Sequence, residues 1–151
     1  MVIDSAHCLL NIQWRESEHC DVPQINIGCN TGQQGVYQCE LIVLHCVSLP
    51  AGEFGSGLPS QLFTGTLDIG AHESFASLAG VRVAPHLFID RDGVVEQFVP
   101  FDRPAWHAGE SQWMNRQGCN RFSLGIELEG TWESPFAEAQ YEALLEVCTA
   151  R

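Results

Sequence analysis

The chain has 151 residues, 45% of them hydrophobic and 17% charged, with a formal net charge of −12. A single domain of that length buries about two thirds of its unfolded surface, so it needs neither a disulfide nor a metal simply to fold. All seven basic residues are arginine, and so few cations on an acidic chain cannot supply the counterion release that drives nucleic-acid binding.

From the amino terminus, Met1 to Leu10 lacks the basic start and long apolar stretch of a secretory signal. No apolar run is long enough for a membrane-spanning helix. Seven cysteines in such a chain read as reduced thiols of a cytoplasmic protein. Cys8, Cys20, Cys29 and Cys39 contain no C-x-x-C pair and are not expected to hold a structural zinc. Residues 1–39 read as an irregular leader, with a loop or insertion rich in Gly, Asn and Gln toward its end. Leu41-Ile42-Val43-Leu44 is too short for a helix and predicts a strand buried on both faces, closing at His45. Residues 48–59 hold three glycines and two prolines and form a loop. Residues 68–79 predict a short helix capped by Asp68, with Phe75 and Leu78 inward and Gly80 stopping it.

Residues 81–89 and 94–99 predict two strands joined by Asp90-Arg91-Asp92-Gly93, a hairpin signal. Residues 100–118 form a long loop carrying Trp106, His107 and Trp113, and loops of that length tend to be functional. Residues 122–129 alternate: Phe122, Leu124, Ile126 and Leu128 on one face, Ser123, Gly125, Glu127 and Glu129 on the other. Ser134-Pro135 predicts a helix start, followed by an inward stripe of Ala137, Tyr141, Leu144, Leu145 and Cys148. The pattern gives an α/β fold, or α+β given the hairpin, with helices packed on a central sheet of at least four strands in a single domain.

Several side chains could do chemistry. His45, at the edge of a glycine-rich loop, is either a metal ligand or base, or a satisfied structural histidine. Glu127 sits mid-strand, where partial burial would lift its pKa toward neutrality and suit it to acid–base work; the same face could also simply meet solvent. Glu129 follows on that face, and two such carboxylates are also compatible with a retaining glycosidase. Trp106 offers a flat ring for a sugar face or a buried anchor for its loop. His86 reads as a core residue and His72 as a helix-surface one.

Taken together, the segments Leu41 to Gly55, Leu62-Phe63-Thr64-Gly65-Thr66, Arg82-Val83-Ala84-Pro85-His86, Val99-Pro100-Phe101-Asp102, Ala105-Trp106-His107-Ala108-Gly109, Cys119-Asn120 and Phe122 to Thr131 resemble, in order and spacing, the AmpD-type N-acetylmuramoyl-L-alanine amidases. The resemblance covers residues 40–151 as the amidase domain; Ser17, His19 and Asp21 echo the family's amino-terminal segment more loosely. It implies the fold of peptidoglycan-recognition proteins, a mixed sheet flanked by helices with one zinc ion in a surface groove. It implies hydrolysis of the amide between N-acetylmuramic acid, in its 1,6-anhydro form, and L-alanine, in cytoplasmic peptidoglycan recycling by a monomer that takes muropeptides. By this resemblance His45 is the first zinc ligand and Glu127 the general base or water-orienting carboxylate. Trp106 and His107 line the groove for the sugar, and Arg82 contacts substrate carboxylates.

The chain also departs from the family. The family's second and third ligands, a His and an Asp, and a lysine near that Asp lie beyond the helix that begins near Pro135. They are not in these 151 residues, which contain no lysine. The expectation is therefore a truncated amidase domain, inactive as it stands, with a metal-free muropeptide-binding module as the alternative. Cys46 stands at a substrate-contact position where the family carries Asn, and Gly118 where an Arg is common. Adjacent strand residues point to opposite faces, so Cys46 is not expected to join His45 on one metal.

Overall fold

The computed structural model describes residues 1–20 and 39–150, so the loop or insertion ending near residue 39, Cys29 and Asp21 lie outside the described residues. In chain order its strands and α-helices are β1 (Gln13–Trp14), β2 (Leu41–Val47), α1 (Leu58–Phe63), β3 (Leu87–Ile89), β4 (Val95–Gln97), β5 (Gln112–Trp113), β6 (Arg116–Gln117), β7 (Ser123–Glu129) and α2 (Glu138–Cys148). Five strands form one sheet in the order β1-β4-β3-β7-β2, and β5 pairs with β6 separately. β2, β7 and β3 run parallel; β4 returns antiparallel to β3, and β1 is parallel to β4. This is the mixed sheet flanked by helices that the resemblance implied.

The period of two along each strand sorts the core into two layers. Leu87, Ile89, Val95 and Ile126 pack with Leu9 and with Ala143 of α2. On the opposite face Phe88 packs with Leu62 and Phe63 of α1 and with Phe98, Val99 and Ala105. Each of these large apolar side chains contributes about 1.5–3 kcal/mol by leaving water. The Asp90-to-Gly93 hairpin forms as expected: Asp90 Oδ1 accepts from the N–H groups of Asp92 and Val94, and Gly93 takes φ +80°.

Residues 1–20 are more than a leader. Leu9 is core, and β1 extends the sheet. Glu96 of β4 accepts from Arg15 Nε at 2.9 Å and from the Ser60 hydroxyl, which ties this segment and α1 to the same strand.

Four local expectations need correction. First, β2 runs through His45 to Val47 and lies at the sheet edge, with Ile42 and Leu44 42% and 52% exposed, so it is not buried on both faces. Second, residues 68–79 hold two 3₁₀ turns, Ile69–Ala71 and Glu73–Leu78, in place of one α-helix. Asp68 does cap the first and Phe75 is buried, but His72 between them adopts extended φ/ψ. Third, the strand expected over residues 81–89 is confined to β3, while the expected loop 100–118 encloses the β5–β6 hairpin, turned by Met114 and Asn115 at positive φ. Fourth, α2 starts at Glu138, and Ser134 instead bonds Thr131.

The inward face of α2 is Gln140 and Ala143, with Tyr141, Leu145 and Cys148 exposed. Gln140 is fully buried because its amide is fully used. Nε2 donates to Ile89 O at 3.2 Å and to Glu129 O at 3.0 Å, and Oε1 accepts from Ala137 N at 2.9 Å. Gln140→Leu removes all three, and the bond that Arg91 Nη1 donates to Oε1 at 3.3 Å, while keeping the volume. It is expected to cost about 2 kcal/mol or more, the penalty of stranding buried backbone groups. An unchanged urea midpoint would contradict this.

Candidate functional site

The parallel register of β2 and β7 sets His45 directly opposite Glu127. Both side chains face the layer that holds Phe88 and Val47, away from α2. Glu127 is largely surrounded by protein, and its Oε2 is buried with no hydrogen-bond partner among the described residues. Burial alone pushes its carboxyl up to about 7.

A third group comes from the long loop. His107 Nδ1 lies 2.9 Å from His45 Nε2, the two rings meeting edge to face. Its Nε2 lies 3.2 Å from Ser123 Oγ on β7. The ring can sit there because residue 125 is glycine: a Cβ on Gly125 would fall 2.2 Å from His107 Cγ. Asn120 fixes the approach, its Oδ1 accepting from His107 N at 3.2 Å and Ala108 N at 2.8 Å. Burial lowers the pKa of both rings; for His107 a charged His45 would add to it, and its value falls to about 4. Both are neutral at physiological pH, with lone pairs to offer.

His86 lies beneath. It is completely buried, accepts from Gly125 N on Nδ1 at 3.1 Å, and reaches Arg103 O with Nε2 at 2.8 Å. It is the core histidine the sequence suggested, and it braces the strand under His107.

Trp106, half-buried, continues from His107. Its ring stacks with His19 at 6.3 Å, and the Arg82 guanidinium lies 5.0 Å from its centroid. Thus His45, Glu127, His107, Trp106 and Arg82 belong to one neighbourhood. Cys46 does not join them. It lies on the α2 face of β2, exposed, in an apolar groove with Leu44, Trp132 and Tyr141, because neighbouring strand residues alternate. Glu129 is a staple: it is 2% exposed and accepts from Gly55 N at 2.6 Å and Arg91 N at 3.2 Å. With both oxygens on backbone N–H groups, it cannot be the second carboxylate of a glycosidase.

Sequence reasoning missed Asn120, Ser123 and Gly125 as parts of the site. The signal for Gly125 was present, since a glycine inside a strand marks a close approach. Arg121 lines a polar groove of 660 Å³ between 109–112 and 117–121, with its Cδ and Nε 3.8 Å from where a Cβ on Gly118 would be.

No group of three His, Cys, Asp or Glu side chains converges to hold a metal among the described residues. What is present suits one side of such a site: a neutral imidazole on a rigid strand beside a buried carboxyl oxygen that lacks a partner.

An imidazole and a buried carboxyl thus face each other on adjacent parallel strands of an α/β domain. The family profile of N-acetylmuramoyl-L-alanine amidases matches residues 36–151, and the chain belongs to that family. It is 53% identical over 110 residues to the 1,6-anhydro-N-acetylmuramyl-L-alanine amidase AmpD of Escherichia coli (strain K12), a match covering 73% of this chain and 60% of that protein. AmpD of Haemophilus influenzae is 46% identical over 107 residues, covering 71% and 58%. A crystal structure of a selenomethionine AmpD derivative superposes with a TM-score of 0.85 at 41% identity, over 97% of this chain and 76% of that one. The chain thus spans about 60% of the length of the curated relatives it matches.

Proposed function

We propose that this chain carries the first zinc ligand, His45, and the proton-transferring carboxyl, Glu127, of a 1,6-anhydro-N-acetylmuramoyl-L-alanine amidase of peptidoglycan recycling. The observation that carries it is the pairing of His45 with Glu127 across β2 and β7. Zinc, when bound, would polarise the amide carbonyl and acidify the attacking water. Hydrolysis adds water across the amide between the lactyl carbonyl and the L-alanine nitrogen. A carboxyl titrating near 7 suits both proton transfers: taking a proton from water, then delivering it to the departing amine. The half-buried face of Trp106 offers a plate for the sugar. Arg82 and Arg121, neither in an ion pair among the described residues, offer cations for the carboxylates of the peptide. Six cysteines are free thiols among the described residues, which suits a reducing cytoplasm.

A second reading, a metal-free muropeptide-binding module, is favoured by the lack of three converging ligands among the described residues. With one ligand of the set, these 151 residues alone are expected not to cleave, so the test uses a form extended by the segment that carries the family's remaining ligands, incubated with anhydromuropeptide with and without zinc. Zinc-dependent release of L-alanyl peptide, read by mass spectrometry, supports the amidase. Calorimetric binding without cleavage supports the module, and a folded protein that does neither removes both.

A further inference from the structure

A neutral histidine holds one proton, so His45 has a lone pair on either Nδ1 or Nε2, and the hydrogen bonds around it decide which. Ser123 Oγ lies 2.6 Å from the carbonyl oxygen of Cys119. Two oxygens that close need a proton between them, and a carbonyl has none, so the serine hydroxyl donates there. Its oxygen is then an acceptor for His107 Nε2 at 3.2 Å, which must carry a proton. A neutral ring protonated on Nε2 has its lone pair on Nδ1. His45 Nε2, 2.9 Å from that atom, must therefore donate. What remains is Nδ1 of His45, bare.

We propose that His107 and Ser123 are positioning residues that fix the tautomer of His45, so that Nδ1 is the atom it presents to a ligand. The relay runs His45 Nε2–H to His107 Nδ1, His107 Nε2–H to Ser123 Oγ, and Ser123 O–H to Cys119 O. The reverse arrangement fails at both ends. A His107 protonated on Nδ1 would meet Ser123 with two acceptors face to face. It would also force the proton of His45 onto Nδ1, leaving that ring no free lone pair. The frame is stiff enough to hold the relay. Gly125 leaves space for the ring where any Cβ would collide with it, Asn120 clamps its backbone, and Ser123 and His45 sit on paired strands. Histidines that ligate metals characteristically donate their second ring nitrogen to such a partner. The tautomer belongs to the metal-free chain; only its use in holding zinc rests on the function proposed above.

Long-range ¹H–¹⁵N correlation spectra of the metal-free protein at neutral pH read the tautomer directly. His45 is expected to show a protonated Nε2 and a bare Nδ1 as two well-separated nitrogen resonances. Ser123→Ala should collapse that separation toward an average, and Ser123→Thr, which keeps the hydroxyl, should restore it. A His45 protonated on Nδ1, or nitrogen shifts unmoved by Ser123→Ala in a folded protein, overturns the proposal. Zinc titration of a form extended by the segment that carries the family's remaining ligands then tests the function separately. A zinc-induced shift on Nδ1 supports both readings, whereas coordination through Nε2 overturns this one. An intact Nε2–H signal that zinc never perturbs upholds the relay and removes His45 as a ligand.

Discussion

Between pH 4.5 and 7 the chain is expected to lose about 3 kcal/mol of folding stability through Glu127, a loss absent from Glu127→Gln. In the unfolded chain this carboxyl titrates near its ordinary 4.5; in the folded protein burial holds it at about 7. The folded state therefore keeps a proton that the unfolded state has released. The stabilisation is fully present below 4.5 and is lost as pH rises, levelling off above 7. Burial is the whole cause, since no charged neighbour contributes. Glutamine preserves the size and removes the titration, so the two proteins should differ in slope more than in fold. Urea midpoints of both, taken across this range, give the difference. Parallel curves would mean that the carboxyl reaches water and that its suitability as a base near neutral pH is lost with it.

The residues that titrate unusually are also those whose setting the sequence showed only in part. The alternation from Ser123 to Glu129 was legible and put Glu127 on the polar face. That this face is covered depends on the loop that lays His107 over Gly125, a contact between residues far apart in the chain. An apolar run such as Leu41 to Leu44 looks the same whether one face or two are covered, and only the strand order shows that β2 is an edge. The α2 stripe misled for a related reason. Apolar spacing pointed to Tyr141 and Leu145, but Gln140 turns inward because Ile89 O, Glu129 O and Ala137 N need its amide. Polarity along a helix does not reveal backbone groups elsewhere that await a partner. The Asp90-to-Gly93 turn, by contrast, is a local device and was readable from its own four residues.

Lowering the pH further brings a larger effect of opposite sign. Burial first of all, with a charged His107 adding to it, holds His86 at about 3 against an ordinary 6.5. Here the unfolded chain takes up the proton first, so the stability is present above 6.5 and is lost as pH falls toward 3. The full span amounts to about 5 kcal/mol, of which about 3 kcal/mol is spent by pH 4.5. His107, held near 4, acts in the same direction. Over the upper part of that range Glu127 is being protonated and gives back about 3 kcal/mol, offsetting most of the loss from His86. Below 4.5 nothing remains for Glu127 to give, while the buried histidines go on resisting charge. With both histidines acting and Glu127 offsetting one of them, the expected curve declines gently to about pH 4.5, about twice as steeply from there to about 4 where His107 takes its proton, and gently again until His86 does so near 3, while in Glu127→Gln the steeper limb begins near 6.5 instead. Denaturant titrations at closely spaced pH values would show the break and its displacement. A single uniform slope in both proteins would mean that His86 is hydrated in solution and that the platform under His107 is looser than its hydrogen bonds to Gly125 and Arg103 imply.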